Sequence, residues 1–84
     1  MYTVYVIKSL LNGKLYTGFT EDISSRLKAH NAGKVRATKT FKPYELIYRE
    51  EFVDKKQARR RELFLKSGQG RKQLKFVLDG CPSG

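Results

Sequence analysis

The stretch TVYVIKSLLNGKLYTG, residues 3–18, predicts two short strands joined by a tight turn. β-Branched and aromatic residues dominate both halves of it, which suits the pleated surface of a sheet. The dipeptide Asn12-Gly13 between them favours a two-residue hairpin turn, because both residue types tolerate positive φ. We therefore expect a first strand near 2–8 and a second near 14–20, paired antiparallel.

Each predicted strand carries a tyrosine, Tyr5 in the first and Tyr16 in the second. A strict two-residue turn pairs Tyr5 with Thr20. Because cross-strand partners share a face, both tyrosines would then lie on one face, about 13 Å apart along the strands. A wider loop would bring them nearly opposite each other. Tyrosine is also simply a good strand former, so the hairpin alone does not assign the pair a function.

A first helix is expected directly after the hairpin. Thr20 and Asp22 are both suitable N-caps, and Gly33 is a natural C-terminal stop. Ile23 and Leu27, four residues apart, give this helix an apolar pair on one face.

Three further elements follow: a third strand over 44–52, a second helix over 55–67 and a last helix over 71–79 that ends at Gly80. The third strand is expected to carry Leu46, Tyr48 and Phe52 on one face. The order ββαβαα predicts an α+β fold in which helices flank a small three-stranded antiparallel sheet. We expect one domain over residues 1–84, with its core over about 2–79.

The charge of the chain restricts its partners. Eighteen Lys and Arg against eight Asp and Glu give a formal net charge of +10. On so small a body this favours polyanions, through neutralised phosphates and released counterions. Nucleic acid, and DNA first, is therefore the expected partner. A basic surface that only keeps the protein in solution is the alternative.

Other features of the composition exclude several classes of protein. No stretch reaches the roughly 18 apolar residues of a membrane span, and the N-terminus lacks the pattern of a secretory signal. The single cysteine, Cys81, excludes an internal disulfide, and together with the single histidine it is too little for a zinc site. These features predict a cytoplasmic protein.

Residues 34–43 form a basic segment between the first helix and the third strand. It carries four cations and no acidic residue; the cations are Lys34, Arg36, Lys39 and Lys42. Their spacing suits contacts along a nucleic-acid backbone, with Thr38 and Thr40 as hydrogen-bond donors. A solvated loop is the alternative, and the net charge favours the phosphate-contacting arm.

Arg26 and His30 lie four residues apart on the first helix and so share a face, with Asp22 one further turn back. A solvated face with an Asp22–Arg26 ion pair would account for them, and the spacing alone favours that interpretation. The same pair also suits a phosphodiesterase. A guanidinium can hold a phosphate by two hydrogen bonds, and an imidazole titrates near neutral pH.

Glu62 shares the apolar stripe of the second helix with Ala58 and Leu65. A carboxylate on a stripe that faces the core is unfavourable unless it pairs with a cation or binds a metal. An ion pair with a neighbouring Arg or Lys is one interpretation. A Mg²⁺ site with one carboxylate and several waters is the other.

Taken in order along the chain, these residues resemble the GIY-YIG nuclease family, and above all its short stand-alone bacterial members. TVY, residues 3–5, stands at the first motif, and YTG, residues 16–18, stands at the second. Arg26 followed by His30 matches the family's helix, and Glu62 matches its metal-holding glutamate. The similarity covers nearly the whole chain.

This resemblance implies hydrolysis of DNA phosphodiester bonds with the help of one divalent ion, Mg²⁺ or Mn²⁺. Glu62 would hold the ion. Tyr5 and Tyr16 would position the attacking water, one of them acting as general base. Arg26 would clamp the scissile phosphate, and His30 would assist by hydrogen bonding or proton transfer.

Gly18 would let the backbone approach closely where a side chain could not fit. Thr3, Val4 and Thr17 depart from the family's motifs, and many family nucleases carry an asparagine that is missing after Glu62. Two hypotheses therefore stay open. The first is a DNA endonuclease in repair or recombination, and the second is a nucleic-acid-binding module that does not cut.

Overall fold

A computed structural model describes residues 1–78, with side chains through residue 74. Its elements are β1 Tyr2–Ser9, β2 Leu15–Thr20, α1 Ile23–Asn31, a 3₁₀ turn Lys39–Phe41, β3 Tyr44–Phe52, α2 Lys55–Lys66 and α3 Gly68–Leu78. The strands form one antiparallel sheet in the order β2-β1-β3. The predicted α+β fold is thereby confirmed. Cys81 and the predicted helix end at Gly80 lie outside the described residues.

The hairpin loop is wider than two residues, so that prediction is wrong. The Ser9 side-chain oxygen accepts hydrogen bonds from the backbone N–H groups of Leu11 and Asn12, both at 3.1 Å. Gly13 adopts a φ of 75° and donates its N–H to the Ser9 carbonyl at 2.9 Å. The Ser9 side chain therefore stabilises a longer loop over residues 10–14.

The wider loop brings the two tyrosines together. Tyr5 lies opposite Gly18, and Tyr16 lies opposite Ile7. The tyrosines are therefore diagonal neighbours on one face, with backbone positions about 7–8 Å apart. Their placement on the same face is as predicted.

A bulge in β3 places Leu46 and Tyr48 on opposite faces of the sheet. Val6 pairs with Tyr48, whereas the next residue, Ile7, pairs with Leu46, so Ile47 is an extra residue in the strand. An extra residue reverses the alternation of side chains on one side of it. The predicted common face of Leu46 and Tyr48 is therefore wrong.

Strand alternation divides the core into two clusters. On one face, Val4 and Val6 of the central strand pack against residues of α2 and α3, namely Ala58, Leu65 and Leu74. On the other face, Tyr5 and Ile7 pack with Tyr44 and with the apolar side of α1. The four β1 side chains are at most 1% exposed, so the central strand is buried on both faces.

α2 and α3 meet at a sharp junction. Ser67 ends α2, and its hydroxyl oxygen accepts the N–H of Gly70 at 3.2 Å, which caps α3. α3 therefore begins at Gly68, earlier than predicted. A Cβ on Gly70 would lie 1.8 Å from the Phe64 carbonyl oxygen. Only glycine allows the two backbones to approach this closely.

Candidate active site

The centre of the candidate site is a hydrogen bond of 2.8 Å between the Tyr5 hydroxyl and His30 Nε2. Tyr5 comes from the middle of β1, and His30 from the last turn of α1. Both side chains are buried. The alternative of a solvated helix face is therefore wrong for His30, because the sheet covers it.

Thr38 holds the other side of the imidazole. Its Oγ1 lies 2.6 Å from His30 Nδ1, and its hydroxyl donates to the Val35 carbonyl at 3.4 Å. With that proton committed, Thr38 Oγ1 accepts from Nδ1–H. We therefore assign His30 the Nδ1–H tautomer, in which Nε2 accepts the proton of the Tyr5 hydroxyl.

Arg26 completes the cluster from the same face of α1. Its Nε donates to the Tyr5 hydroxyl at 3.4 Å. The alternative Asp22–Arg26 ion pair is wrong, because the Asp22 carboxylate caps α1. It accepts the N–H of Ser25 at 3.2 Å and the Ser25 hydroxyl at 2.9 Å.

The three groups shift one another's proton affinities. Burial lowers the pKa of His30 below its ordinary value of 6.5, and the Arg26 charge lowers it further, so the ring is neutral at pH 7. The hydrogen bond to Tyr5 raises the pKa of Arg26. Burial raises the pKa of the Tyr5 hydroxyl, and the Arg26 hydrogen bond offsets part of that rise.

Two more tyrosines surround the imidazole. The ring centroid of Tyr16 lies 5.2 Å from that of His30 in an edge-on arrangement, and Tyr44 lies 6.2 Å away. Tyr16 is half-buried on the edge strand, so it is the tyrosine of the cluster nearest to solvent. Burial raises the pKa of Tyr44.

Gly18 makes room for the Tyr5 phenol. A Cβ on Gly18 would lie 2.7 Å from the Tyr5 hydroxyl oxygen and 2.9 Å from the ring carbon that bears it. The close approach predicted at Gly18 therefore involves a side chain of the protein itself. A residue larger than glycine would push the phenol away from His30.

Glu62 is 5% exposed on α2. Its Oε1 lies 3.2 Å from Arg59 Nη1, and its Oε2 lies 3.2 Å from Lys66 Nζ. Glu62 thus forms two ion pairs, where the sequence predicted one with a neighbouring Arg or Lys. Burial is the main cause of the raised pKa of Tyr5, and the Glu62 charge also contributes to that rise. The neighbouring α2 residues Ala58 and Leu65 pack against Val4 and Val6, on the face of the sheet opposite Tyr5.

The model of the GIY-YIG catalytic domain family matches residues 1–75. The chain belongs to the GIY-YIG family. It is 41% identical over 75 residues to a UPF0213 protein of Staphylococcus haemolyticus, covering 88% of this chain and 90% of the relative. A UPF0213 protein of Staphylococcus epidermidis is 37% identical over 78 residues, covering 92% and 94%.

A solution NMR structure of a UPF0213 protein from Bacillus halodurans has the same fold. It superposes with a TM-score of 0.57 at 34% identity, covering 98% of this chain and 89% of the other. GIY-YIG proteins form a nuclease family, so the family membership points to a nucleic-acid substrate. No helix within residues 1–78 combines the length and apolar character needed to cross a membrane.

The residues present fit a metal only as a site with a single carboxylate. Within the described part of the chain, no three His, Cys, Asp or Glu side chains cluster around one point. Mg²⁺ in proteins often takes one or two carboxylates and keeps several waters. Glu62 satisfies that minimum, provided that the exposed side chains of Arg59 and Lys66 move away from its oxygens.

The basic segment of residues 34–43 lies at the surface, next to the cluster of side chains around His30. Its cations, Lys34, Arg36, Lys39 and Lys42, are all exposed. Thr38 is 1% exposed, so its predicted role as a donor to phosphate is wrong. Its hydroxyl group hydrogen-bonds to His30 instead.

Sequence patterns did not indicate Thr38 or Tyr44 as members of the cluster. Thr38 lies in an irregular loop, where no periodicity predicts which side chains point inward. Tyr44 was detectable as the first residue of β3, but the turn over 39–43 that aims it at His30 was not.

Proposed function

We propose that the protein is a divalent-metal-dependent endonuclease that hydrolyses DNA phosphodiester bonds. The observation that carries this proposal is the Tyr5 hydroxyl held between His30 Nε2 and Arg26 Nε. A hydroxyl bonded to a base, which is itself oriented by a third group, is the usual arrangement for activating an oxygen. Thr38 is the third group here.

Arg26 is the proposed phosphate ligand. Its Nε contact with Tyr5 is long, at 3.4 Å, so a phosphodiester can compete for the guanidinium. Bidentate binding would use the planar fork of the guanidinium. When the guanidinium turns to the phosphate, the lone pair on the Tyr5 oxygen becomes available to a water.

The proposed proton path runs from that water through Tyr5 to His30. The water gives a proton to the Tyr5 oxygen while the Tyr5 hydroxyl proton moves to His30 Nε2. The hydroxide so formed attacks phosphorus, the bond to the 3′-oxygen breaks, and the leaving oxygen takes a proton from solvent. His30 then returns its proton through Tyr5 to bulk water, which restores the neutral pair.

A bound phosphodiester assists this transfer electrostatically. The Arg26 charge contributes to the lowered pKa of His30. A phosphate anion against the guanidinium offsets that charge, so the proton affinity of His30 rises when substrate binds. The ring of Tyr16 lies edge-on to the imidazole, and Tyr16 would orient the water.

Glu62 is the proposed ligand of one Mg²⁺ or Mn²⁺ ion. The ion would supply a positive charge that neutralises the phosphate and helps the 3′-oxygen to leave. A cytoplasmic location and a role in DNA repair or recombination belong to the same proposal.

A cleavage assay with Mg²⁺ or Mn²⁺ tests the metal requirement on end-labelled DNA. We expect cutting by the parent, none in EDTA, and strong loss in Glu62→Gln. Glu51→Gln, which removes an exposed carboxylate from β3, is the matched control and should cut normally. Cutting in EDTA, or equal loss in both variants, would contradict the metal role of Glu62.

A second candidate function is a nucleic-acid-binding module that does not cut. It is favoured by the occupation of both Glu62 oxygens by Arg59 and Lys66. In this case the parent would bind DNA in a salt-sensitive way without cutting it. Glu62→Gln would then leave the DNA affinity unchanged or raise it, because a negative charge is lost.

A further inference from the structure

Three large apolar side chains are exposed together at one end of the sheet. Leu10 is 60% exposed, Leu11 66% and Phe41 42%. Leu10 and Leu11 belong to the hairpin loop, and Phe41 ends the 3₁₀ turn. We call these three residues the apolar tip.

Two hydrogen bonds join the hairpin loop and the 3₁₀ turn into one unit. The Ser9 hydroxyl donates to the Phe41 carbonyl at 2.7 Å, and the N–H of Leu10 donates to the Pro43 carbonyl at 2.9 Å. The same Ser9 oxygen caps the hairpin loop. The tip is therefore held by the fold, although its side chains face solvent.

The segments that form and flank the apolar tip are basic. Residues 8–14 and 34–43 contain six basic residues and no acidic one, and the acidic residue that follows them, Glu45, pairs opposite Lys8 in the sheet. All six are exposed; they are Lys8, Lys14, Lys34, Arg36, Lys39 and Lys42. This charge is complementary to phosphate groups, so a polyanion is the partner that fits around the apolar centre.

The tip is also fixed relative to the candidate active site. Ser9 lies four residues from Tyr5 along β1, which is about 13 Å at strand rise. Thr38, which holds His30, belongs to the same segment as Phe41. If a phosphate of a nucleic acid lies at Arg26, the nucleotides next to that phosphate can therefore reach the apolar tip.

We propose that the apolar tip contacts unstacked bases, so that this protein prefers DNA with unpaired nucleotides beside the phosphate it holds. A continuous duplex presents phosphates and sugars to such a surface and keeps its bases stacked inside. Unpaired bases expose faces on which an aromatic ring can stack, and Leu and Phe side chains can wedge between unstacked bases. This inference rests on the nucleic-acid substrate of the proposed function.

Fluorescence anisotropy in EDTA tests this preference without cleavage. The ligands are a labelled duplex and the same duplex with a short unpaired bulge. We expect the parent to bind the bulged DNA about tenfold more tightly. Phe41→Ser and Leu11→Ser should remove most of that preference, and they should leave both the duplex affinity and its salt dependence unchanged because no charge is altered.

Val53→Ser is the matched control. Val53 is 82% exposed in the turn before α2, away from the apolar tip, so its loss should change neither affinity. Equal affinity of the parent for both DNAs, or a preference that survives both tip substitutions, would overturn the inference. An equal loss of the preference for bulged DNA in Val53→Ser would also overturn the inference.

Two further outcomes separate this inference from the proposed function. If the parent cuts DNA but shows no tip-dependent preference, the inference fails and the nuclease stands. If it prefers bulged DNA through the tip but cuts nothing, the inference stands and the nuclease fails. Tip-dependent binding to vesicles with anionic lipids, with no preference among DNAs, would assign the tip to a membrane surface and overturn the inference.

Discussion

The two faces of the sheet differ in what they bury, although neighbouring residues of one strand supply both. Val4 and Val6 meet the apolar residues of α2 and α3. Tyr5, which lies between them in sequence, meets the hydrogen-bonded His30 of α1. The alternation of a strand thus lets the protein place an aliphatic cluster on one face and, on the other, a cluster that includes the hydrogen-bonded His30.

Each face also depends on one glycine, for different reasons. Gly70 allows two helix backbones to approach on the apolar face, so a Cβ there would meet backbone atoms. Gly18 leaves space for one phenol on the polar face, so a Cβ there would meet the end of a side chain. The first glycine serves packing, and the second serves the geometry of the cluster.

Gly70→Ala should have the largest effect on stability. Its Cβ would lie 1.8 Å from the Phe64 carbonyl oxygen and 2.6 Å from Leu65 Cα. Both atoms belong to the backbone of α2, so the clash is relieved only if α2 and α3 move apart. We expect the free energy of unfolding to fall by about 3 kcal/mol, measured by urea unfolding.

Gly68→Ala is the control for that prediction. Nothing lies within 4 Å of a Cβ at Gly68, and alanine is the better helix former. This variant should be as stable as the parent or slightly more so. Equal stabilities of the two variants would contradict the close approach at Gly70 as the cause of the loss.

Thr38→Val should weaken the polar face while leaving the apolar face intact. Valine keeps the shape of threonine but leaves His30 Nδ1–H buried without an acceptor, which costs about 1–3 kcal/mol. Nitrogen NMR of the imidazole should show the Nδ1–H tautomer in the parent and a mixture in the variant. Thr38→Ser keeps the hydroxyl and should keep the tautomer, and an unchanged spectrum in Thr38→Val would contradict the assignment.

The smallest expected effect is a pH dependence of stability that comes from His30, the only histidine of the chain. Burial lowers its pKa in the folded state below 6.5. Below pH 6.5 the unfolded chain binds more protons at His30 than the folded chain does, so the free energy of unfolding falls as the pH drops. The total loss is about 1.4 kcal/mol for each unit by which the pKa of His30 differs between the folded and the unfolded state. Well above pH 6.5 the contribution of His30 is constant.

Urea unfolding at several pH values from about 5 to 7.5 measures this dependence. His30→Gln has no group that titrates in this range, so the corresponding slope should disappear whatever the variant's absolute stability. A slope that persists in the variant would assign the dependence to other groups.

The sequence allowed the fold to be predicted wherever local signals agreed. The order of the elements followed from periodicity and caps, and Asp22 caps α1 as one of two expected candidates. The hairpin register was wrong because Ser9 enlarges the loop through its side chain, which the Asn12-Gly13 signal does not include. The predicted face of Leu46 was wrong because the pattern of residues does not reveal the bulge in β3.

The candidate site was predictable only in part. Tyr5, Arg26 and His30 were identified through spacing and family resemblance, and the structure brings their polar atoms together. Thr38 was not identified as a partner of His30, because the path of an irregular loop depends on tertiary contacts. For the same reason, the sequence did not indicate that Ser9, at the start of the hairpin loop, hydrogen-bonds to Phe41.

We propose that the Tyr5 hydroxyl, held by His30 and Arg26, takes part in phosphodiester hydrolysis. The most direct test is the rate of DNA cleavage by Tyr5→Phe, with Tyr2→Phe in the same strand as the control. We predict a loss of at least about 10²-fold in Tyr5→Phe, a normal rate in Tyr2→Phe, and folded protein in both by circular dichroism. Cleavage by folded Tyr5→Phe at the parental rate would contradict this role of Tyr5.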